Sequence, residues 1–443
     1  MTCVKLCASP HGREHVPIMT SHNPRESRRA LTAAVFGNVL EWYDFAVYAF
    51  LAVIIARKFF PPGDEVVALL SAFMAYGLGF LARPLGAIVI GRMGDISGRK
   101  NALLLTIFLM ALGTVMIGLL PTFGSIGYLA PALLVVARLM QGFSAGGEWG
   151  GSTAYIVEWA PKNERGYYGS FQQSSVVAGL LLGSGIAAMF STALTPEQMD
   201  DWGWRVPFLI GGLLGPVGLW MRRTIDETPA FKAVAEDREA AERAAEPVSP
   251  WVLAGRAFGF TIVWTVCFYV LLNYMPTWTQ RHMQLSASEA LWANTIGLVV
   301  LMIFIPIMGK LSDRFGRRPL LLACCLGFIL VPYPVFAYLV TDQAGLGTLI
   351  AVQILFALMI STFSGAGPAA IAEIFPTHNR STWMTTGYAL AVALFGGFAP
   401  FISVWLISHF GSPIAHVYYL IAAAVISTIV IWRLRETAFD DLR

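Results

Sequence analysis

Long apolar segments alternate with short polar connections along the chain. Twelve such segments contain few charged residues, and they lie at about 31–56, 66–90, 101–120, 128–155, 166–191, 203–221, 252–276, 288–308, 319–340, 345–371, 381–407 and 413–432. Each is long enough to cross the roughly 30 Å hydrocarbon core of a bilayer as a helix, at about 1.5 Å per residue. The pattern predicts an all-α polytopic membrane protein with twelve transmembrane helices.

Composition agrees with this pattern and excludes a soluble enzyme. Of the 443 residues, 56% are hydrophobic and 13% are charged, whereas soluble domains average about 45–50% and about 25%. The net charge of +3 gives no reason to expect a nucleic-acid partner. Cys3, Cys7, His11 and His15 recur every four residues, but in a polar tail without an apolar pattern to fix a site. We expect no catalytic centre, no metal and no cofactor.

The polar connections define the organisation and orientation of the chain. The one long connection predicts an N-terminal tail (1–30), a first six-helix bundle (31–221), a linker (222–250), a second six-helix bundle (251–433) and a C-terminal tail (434–443). With the loops assigned alternately to the two sides, 24 of the 30 Lys and Arg residues fall on one side and 3 on the other. The positive-inside rule then places the linker and both termini in the cytoplasm.

An internal repeat relates the two halves. The segment 91–100 (GRMGDISGRK) reappears at 309–318 (GKLSDRFGRR), 158–165 reappears at 373–380, and 223–231 is echoed weakly by 434–439. The offsets of 218, 215 and 209 residues are nearly constant. Two parallel halves related by an axis along the membrane normal form the plan of a rocking transporter, with a solute site near the midplane.

The repeats lie at predicted cytoplasmic helix ends and supply paired charges. An aspartate at such an end can accept hydrogen bonds from helix N-terminal amides or pair with arginine, and the glutamates can pair with the remaining arginines. We therefore interpret the set as a cytoplasmic gate, the alternative being a solvated basic loop that only fixes topology. The gate residues are Asp95, Arg99, Glu158, Arg165, Asp313, Arg317, Glu373 and Arg380.

Several motifs resemble those of the major facilitator superfamily. The Gly-x-x-x-Asp-x-x-Gly-Arg loop stands here twice, and Arg138-Leu-Met-Gln-Gly142 matches the superfamily's fourth-helix element. Further motifs resemble those of one family within it, the metabolite:proton symporters; they lie at 37–45, 59–61, 83–86, 141–148, 202–208 and 227–229. The segments 274–276 and 375–380 resemble the proline/betaine members of that family. The resemblance implies a bacterial inner-membrane symporter whose partners are a small solute, protons and lipid; we expect a monomer.

Ionisable residues within the bilayer are candidates for proton coupling, because burying them there is costly. Glu41 and Asp44 share a face of the first helix, roughly 15 and 20 Å deep, and Arg138 of the fourth helix lies at a similar depth. We expect Glu41 or Asp44 to carry the proton and Arg138 to be its counter-ion. The alternative is a static ion pair joining the two helices. Glu148, further inward, is a candidate for proton exit.

Polar residues within the predicted helices are candidates for substrate binding. Hydroxyl and amide side chains that line a cavity can bind a solute, although helix packing is an alternative role for them. Arg83 could instead extend toward the membrane surface. The candidates are Asn38, Arg83, Arg138, Gln141, Gln172, Gln173, Ser175, Tyr269, Asn273 and Tyr388.

The function predicted from these features is proton-coupled import of a small organic acid, a mono- or dicarboxylate, by alternating access. Few deep cations are available, so a trianion such as citrate would need further neutralisation. The alternative is symport of a zwitterion of the proline or glycine betaine type. A proton-driven efflux antiporter is less favoured, because the fifth segment lacks the Gly-Pro pair usual in that class.

Overall fold

The computed structural model describes residues 38–97, 99–146, 148–223, 250–341, 343–375 and 380–440. The described part of each of the twelve predicted apolar segments falls on one helix or on consecutive helices, which we number α1 to α12. The first six are α1 (Asn38–Phe50 and Ala52–Phe59), α2 (Glu65–Leu81 and Arg83–Ser97), α3 (Arg99–Leu119), α4 (Leu129–Ser144 and Glu148–Trp159), α5 (Arg165–Ala193) and α6 (Arg205–Arg223). The predicted tail 1–30 and the linker between 224 and 249 lie outside the described residues.

The other six helices follow the linker. They are α7 (Pro250–Phe268, Tyr269–Tyr274 and Met275–His282), α8 (Ala287–Phe315), α9 (Arg317–Leu330 and Pro332–Leu339), α10 (Leu346–Glu373), α11 (Arg380–Ala391, Val392–Gly396 and Ala399–Phe410) and α12 (Val417–Arg433). Six of the described helices are singly long and apolar enough to cross a membrane, or eight if each bent pair counts as one. Large apolar side chains such as Leu213, Ile88 and Leu330 are exposed, as a lipid-facing surface requires.

Capping residues explain where several helices begin. The Asp64 carboxylate accepts hydrogen bonds from the amides of Val66 and Val67 at the start of α2. Ser286 and Glu289 form a reciprocal capping box at the start of α8. Each arrangement satisfies amides that have no partner within the helix, and a charged cap also complements the helix dipole.

Several helices are bent or contain a π-helical turn. α1 bends by 66° between its two parts and α9 by 43°, the latter at Pro332. α7 and α11 each contain a π-helical turn, Tyr269–Tyr274 and Val392–Gly396. Such turns are rare and are found frequently at functional sites. The turn in α7 contains Tyr269 and Asn273, two of the predicted substrate-binding residues.

The packing of the helices repeats after six helices. In the first half α2 packs against α4, and α3 packs against α4 and α6; in the second half α8 packs against α10, and α9 packs against α10 and α12. The halves meet along α5 with α8 and α10, and α2 with α11. This is the arrangement that the internal repeat predicts.

Glycines bring α2 and α4 unusually close together. A Cβ added to Gly142 would lie 1.6 Å from the carbonyl oxygen of Gly79, so only a hydrogen fits between the two backbones. A Cβ on Gly146 would lie 2.2 Å from the carbonyl oxygen of Arg83. The close crossing places Arg83 and Arg138, on neighbouring helices, at the same buried centre.

Candidate functional site

The centre of the molecule contains a buried ion pair between α1 and α2. Arg83 Nη2 donates a hydrogen bond to Glu41 Oε1 over 3.1 Å, and the two side chains are 6% and 8% exposed. Arg83 therefore does not extend to the membrane surface. A buried pair of this kind is costly to break, because the remaining partner would be an uncompensated charge.

Aromatic rings surround the Arg83 guanidinium. Its central carbon lies 4.5 Å from the ring centroid of Phe80, 4.8 Å from that of Phe45 and 5.6 Å from that of Trp42. Cations are attracted to the faces of aromatic rings within about 6 Å. The same environment suits a cationic group of a bound solute.

A second buried chain of hydrogen bonds connects Asp44 to Arg138. Thr114 Oγ1 donates to Asp44 Oδ2 (2.7 Å), Gln141 Nε2 donates to Thr114 Oγ1 (2.7 Å), and Arg138 Nη1 donates to Gln141 Oε1 (2.7 Å). These bonds join α1, α3 and α4. Arg138 is fully buried, and Gln141, predicted to contact substrate, is a link in this chain.

The predicted pairing of Arg138 with Glu41 or Asp44 does not take the form of a direct ion pair among the described residues. Glu41 pairs with Arg83, and Arg138 reaches Asp44 only through Gln141 and Thr114. Depth along the helices indicates which residues lie at a similar height in the membrane. The rotation of each helix about its axis decides which side chains touch, and depth alone does not give that rotation.

A small cavity reaches both carboxylates. It lies between α1, α3, α4 and α6, has a volume of about 30 Å³, and is lined by Glu41, Asp44, Thr106 and Ser144 among others. A polar cavity of that size has room for a water molecule. Asp44 Oδ1 is buried and has no hydrogen-bond partner in the described part of the chain, so this carboxylate has an acceptor position available.

The second half contributes an aromatic wall to the centre. The Tyr269 ring lies 5.3 Å from Phe80, 6.1 Å from Trp42 and 6.4 Å from Tyr76, centroid to centroid. Its hydroxyl is buried and has no hydrogen-bond partner among the described residues. Tyr269 therefore faces the Arg83 and Glu41 pair across the boundary between the halves.

A stacked aromatic pair joins the halves a short distance away. The rings of Trp149 in α4 and Tyr388 in α11 are nearly parallel, with centroids 3.5 Å apart. Trp264 of α7 packs edge-on against both. Tyr388, predicted to bind substrate, is thus a contact between the halves beside the centre.

The candidate polar residues Gln172, Gln173 and Ser175 of α5 are buried. Asn38 Nδ2 donates to Ser175 Oγ over 2.6 Å, joining α1 to α5. Gln172 and Gln173 are 2% and 4% exposed, and each keeps one amide atom without a hydrogen-bond partner in the described ranges. Asn273 of α7 is fully buried, and neither of its amide atoms has a hydrogen-bond partner among the residues that the structure describes. A solute that entered between the halves would find these donors and acceptors available.

Charged residues also connect the halves at the side where α8 and α10 end and α5 and α9 begin, here called the gate side. Asp313 accepts hydrogen bonds from the backbone amides of Gly166 (2.8 Å) and Tyr167 (2.9 Å) at the start of α5. Arg317 donates to Asp313 (2.7 Å) and to Glu373 (3.2 Å). The amide contacts of Asp313 and the Arg317–Glu373 pair are among those considered from the sequence repeat, whereas the Arg317–Asp313 pair is not.

Further contacts on the gate side involve Arg165 and the chain after α12. Arg165 Nη1 lies 3.9 Å from Glu373 Oε1 and donates to the carbonyl of Asp440. Glu436 accepts from the amides of Arg317 and Arg318, and so caps the start of α9. Gly316 precedes this start at φ 97°, a conformation that glycine adopts readily.

Five predicted site residues have side chains outside the part of the chain that the structure describes. They are Asp95, Arg99, Glu148, Glu158 and Arg380. The described partners of the gate are therefore those of the second repeat, together with Arg165 from the first. Among the described residues, no three His, Cys, Asp or Glu side chains are grouped so that they could hold a metal ion.

Two residues important to these networks were not among the sequence candidates. Thr114 lies in an apolar helix, where a lone threonine gives no signal until its neighbours are known. Glu436 lies in the weak third repeat, 434–439, and its position in that repeat, four residues after the last predicted apolar segment, was the only hint of a role.

Comparison with known proteins identifies what this arrangement is similar to. A family model described as "Sugar (and other) transporter" matches residues 30–259, and one described as "Major Facilitator Superfamily" matches residues 274–441. The proline/betaine transporter of Escherichia coli K12 is 34% identical over 428 residues, covering 94% of this chain and 85% of the relative. The citrate-proton symporter of Klebsiella pneumoniae is 34% identical over 417 residues, covering 94% of each.

A solved structure of a D-xylose-proton symporter superposes on the chain with a TM-score of 0.73. The superposition covers 93% of this chain and 99% of the symporter's chain, at 19% sequence identity. At that identity the likeness concerns the fold alone: an all-α, polytopic arrangement of two six-helix bundles.

Proposed function

Because the chain belongs to the major facilitator superfamily and, within it, to the metabolite:proton symporter family, we propose that its central charge cluster binds a zwitterion of the proline or glycine betaine type. The chain is a multi-pass membrane transporter of the proton symporter class, with a small solute and protons as partners.

The balance of charge at the centre is the observation that carries the choice of solute. Glu41 and Asp44 supply two negative charges, and Arg83 and Arg138 supply two positive ones. A neutral cluster suits a solute with no net charge. A dicarboxylate or citrate would bring uncompensated negative charge into a region where desolvated charge is expensive.

The aromatic side chains support the same choice. Trp42, Phe80 and Tyr269 lie around the ion pair and supply faces that attract an ammonium group. Arg83 would bind the carboxylate of the solute, while the ammonium group would lie against the rings and Glu41. We therefore favour the zwitterion alternative over the organic-acid interpretation of the sequence: the proline/betaine relative supports the former, and the citrate-proton relative fits the latter.

Asp44 is the proton carrier in this proposal. Glu41 has a cation directly bonded to it, whereas Asp44 accepts only from Thr114 and keeps Oδ1 without a partner in the described chain. A proton on Asp44 would leave the cluster with one net positive charge, which attracts the carboxylate of the solute. Proton and solute binding would thus reinforce one another.

Alternating access would follow from rocking of the two bundles, 31–221 and 251–433, about the central cluster. The hydrogen bonds from the amides of Gly166 and Tyr167 to Asp313 hold the gate side closed, and breaking them would open it. The distribution of Lys and Arg supports placing the gate side and both termini in the cytoplasm. The site lies within one chain, so a monomer would suffice.

Uptake into vesicles tests the proposal. We expect purified protein in proteoliposomes, under an imposed inward proton gradient, to accumulate labelled glycine betaine or proline, and a proton ionophore to abolish the accumulation. Glu41→Gln should lose solute binding, and the exposed Lys310→Gln should behave as wild type. Accumulation of citrate without either zwitterion would overturn the choice of solute.

A further inference from the structure

A second cavity, larger than the one beside the carboxylates, lies on the gate side within the second half. Its volume is about 280 Å³, and it is bounded by the ends of α7, α9, α10 and α12, by the chain after α12, and by Arg165 of α5. Liquid water occupies about 30 Å³ per molecule, so the cavity has room for an anionic group with several waters. None of its lining residues belongs to the central cluster.

Arginines dominate the lining of this cavity. Six of them face two acidic residues, and the eight are Arg165, Arg256, Arg317, Arg318, Arg433, Arg435, Glu373 and Asp440. Glu373 and Asp313 already balance Arg165 and Arg317. The other four arginines have no carboxylate within ion-pair distance in the described ranges. The cavity therefore keeps an excess of positive charge in a concave, partly desolvated place.

Two buried arginine donors at this cavity have no acceptor in the described part of the chain. The Nε atoms of Arg165 and Arg318 are buried and have no hydrogen-bond partner among the described residues. The Arg165 side chain is only 6% exposed, so bulk water does not readily satisfy it. Arg318 is held in place because it donates to the carbonyl of Trp432 and stacks on the Trp432 ring. An anion with several oxygens would match these rigid guanidinium donors.

We propose that this cavity binds a phosphate-bearing anion, either the headgroup of an anionic phospholipid or a free phosphate group. A phosphate offers several acceptor oxygens to the converging guanidinium groups, and basic pockets between helix ends at a membrane surface accept anionic headgroups. The bound anion would join α7, α9 and α12, and through Arg165 it would contact α5 of the first half. The inference does not depend on which solute the protein transports.

The test measures the unfolding temperature of the full-length protein in a neutral detergent. Inorganic phosphate, phosphatidylglycerol and, as the neutral lipid, phosphatidylcholine are titrated separately at constant ionic strength. The variant is Arg256→Gln/Arg433→Gln, which removes two exposed arginines that line the cavity from the neighbouring helices α7 and α12. The matched control is Lys310→Gln/Arg314→Gln, which removes the same charge from exposed positions on the same side but outside the cavity.

We expect phosphate, phosphatidylglycerol or both to raise the unfolding temperature in a saturable way, as a ligand of the folded state does. The apparent affinity should fall about tenfold or more in the cavity variant and stay unchanged in the control. A response to phosphatidylglycerol alone identifies a lipid headgroup, and a response to phosphate identifies a free phosphate group. No saturable response, or equal loss in both variants, overturns the proposal.

If the cavity variant unfolds at a lower temperature without ligand, native mass spectrometry of the folded fraction replaces the thermal measurement. We expect retained phosphatidylglycerol or phosphate on the wild type and on the control, and less on the cavity variant. Equal retention by all three proteins contradicts the site.

Discussion

Arg83 and Glu41 form a buried ion pair that joins α2 to α1, with 3.1 Å between Nη2 and Oε1. The pair lies among the rings of Trp42, Phe45 and Phe80, and the second half closes over it with Tyr269. A solute carboxylate can reach Arg83 only by sharing it with Glu41. The ion pair is therefore the place where solute binding, charge balance and contact between the halves meet.

Breaking this pair on one side should destabilise the protein. We expect Arg83→Gln to lower the free energy of unfolding by about 3–5 kcal/mol, because Glu41 would remain buried without its cation. The double variant Glu41→Gln/Arg83→Gln should recover most of that loss and still bind no solute. Denaturant unfolding of the three proteins gives the comparison. A single variant as stable as wild type would show that the pair is not desolvated.

Neutralising Asp44 should separate exchange from accumulation. Asp44→Asn keeps an acceptor for Thr114 and removes the exchangeable proton, so we expect solute exchange between equal pools to continue while proton-driven accumulation is lost. Labelled solute in proteoliposomes measures both quantities. Retained accumulation in Asp44→Asn would assign the proton to another group.

Thr114 should act as a positioning residue between Asp44 and Gln141. Hydrogen bonds to charged groups are worth about 1.5–3 kcal/mol, so we expect Thr114→Val to slow proton-driven uptake by about tenfold or more and to shift its pH profile. Thr114→Ser keeps the hydroxyl and should restore both. If the serine and valine variants had the same pH profile, the hydroxyl would have no part in proton coupling.

The rings of Tyr269 and Trp42 should recognise positive charge on the solute. We expect Tyr269→Leu or Trp42→Leu to weaken glycine betaine binding by about 0.5–2 kcal/mol, the range of a cation held against a ring, and Tyr269→Phe to change it little. The uncharged isostere 3,3-dimethylbutyrate should compete poorly with glycine betaine in the wild type. Equal competition by the isostere would show that the rings supply only apolar surface.

Loss of the Asp313 carboxylate should open the gate side. In Asp313→Asn an NH2 group replaces one of the two oxygens that accept from the amides of Gly166 and Tyr167. The closed state therefore loses one hydrogen bond and the negative charge at the start of α5. Spin labels at the exposed positions Tyr168 and Arg314 report the separation of α5 and α8 on this side. We expect a longer-distance population in Asp313→Asn. The distribution should be unchanged by Lys310→Gln, and an unchanged distribution in both would contradict the gate.

Much of the fold follows from the sequence because lipid imposes a simple rule: spanning segments must be apolar and helical. The positions of Asp313, Arg317 and Glu373 also follow from the sequence, because a repeated motif places them at helix ends where few partners are available. The partner of Glu41 could not be predicted in this way. Arg83 and Arg138 lie at the same buried centre, and the rotation of α1, α2 and α4 about their axes, which the sequence does not give, decides that Arg83 contacts Glu41.

The roles of residues that depend on a single neighbour could not be predicted from the sequence either. Thr114 resembles any threonine in an apolar helix until α1 and α4 are packed on either side of it. Glu436 becomes a helix cap only because the chain after α12 turns back onto α9. Periodicity and composition give no information on such contacts, which arise from tertiary packing.

Charge movement on a supported membrane of proteoliposomes tests the central claim most directly. A zwitterion carried with a proton moves net positive charge, so addition of glycine betaine or proline at equal pH on both sides should give an inward positive current. Arg83→Gln should abolish this current, and citrate should produce none. A current with citrate, or uptake of either zwitterion without any current, would contradict the account of a neutral central cluster that binds a zwitterion together with a proton.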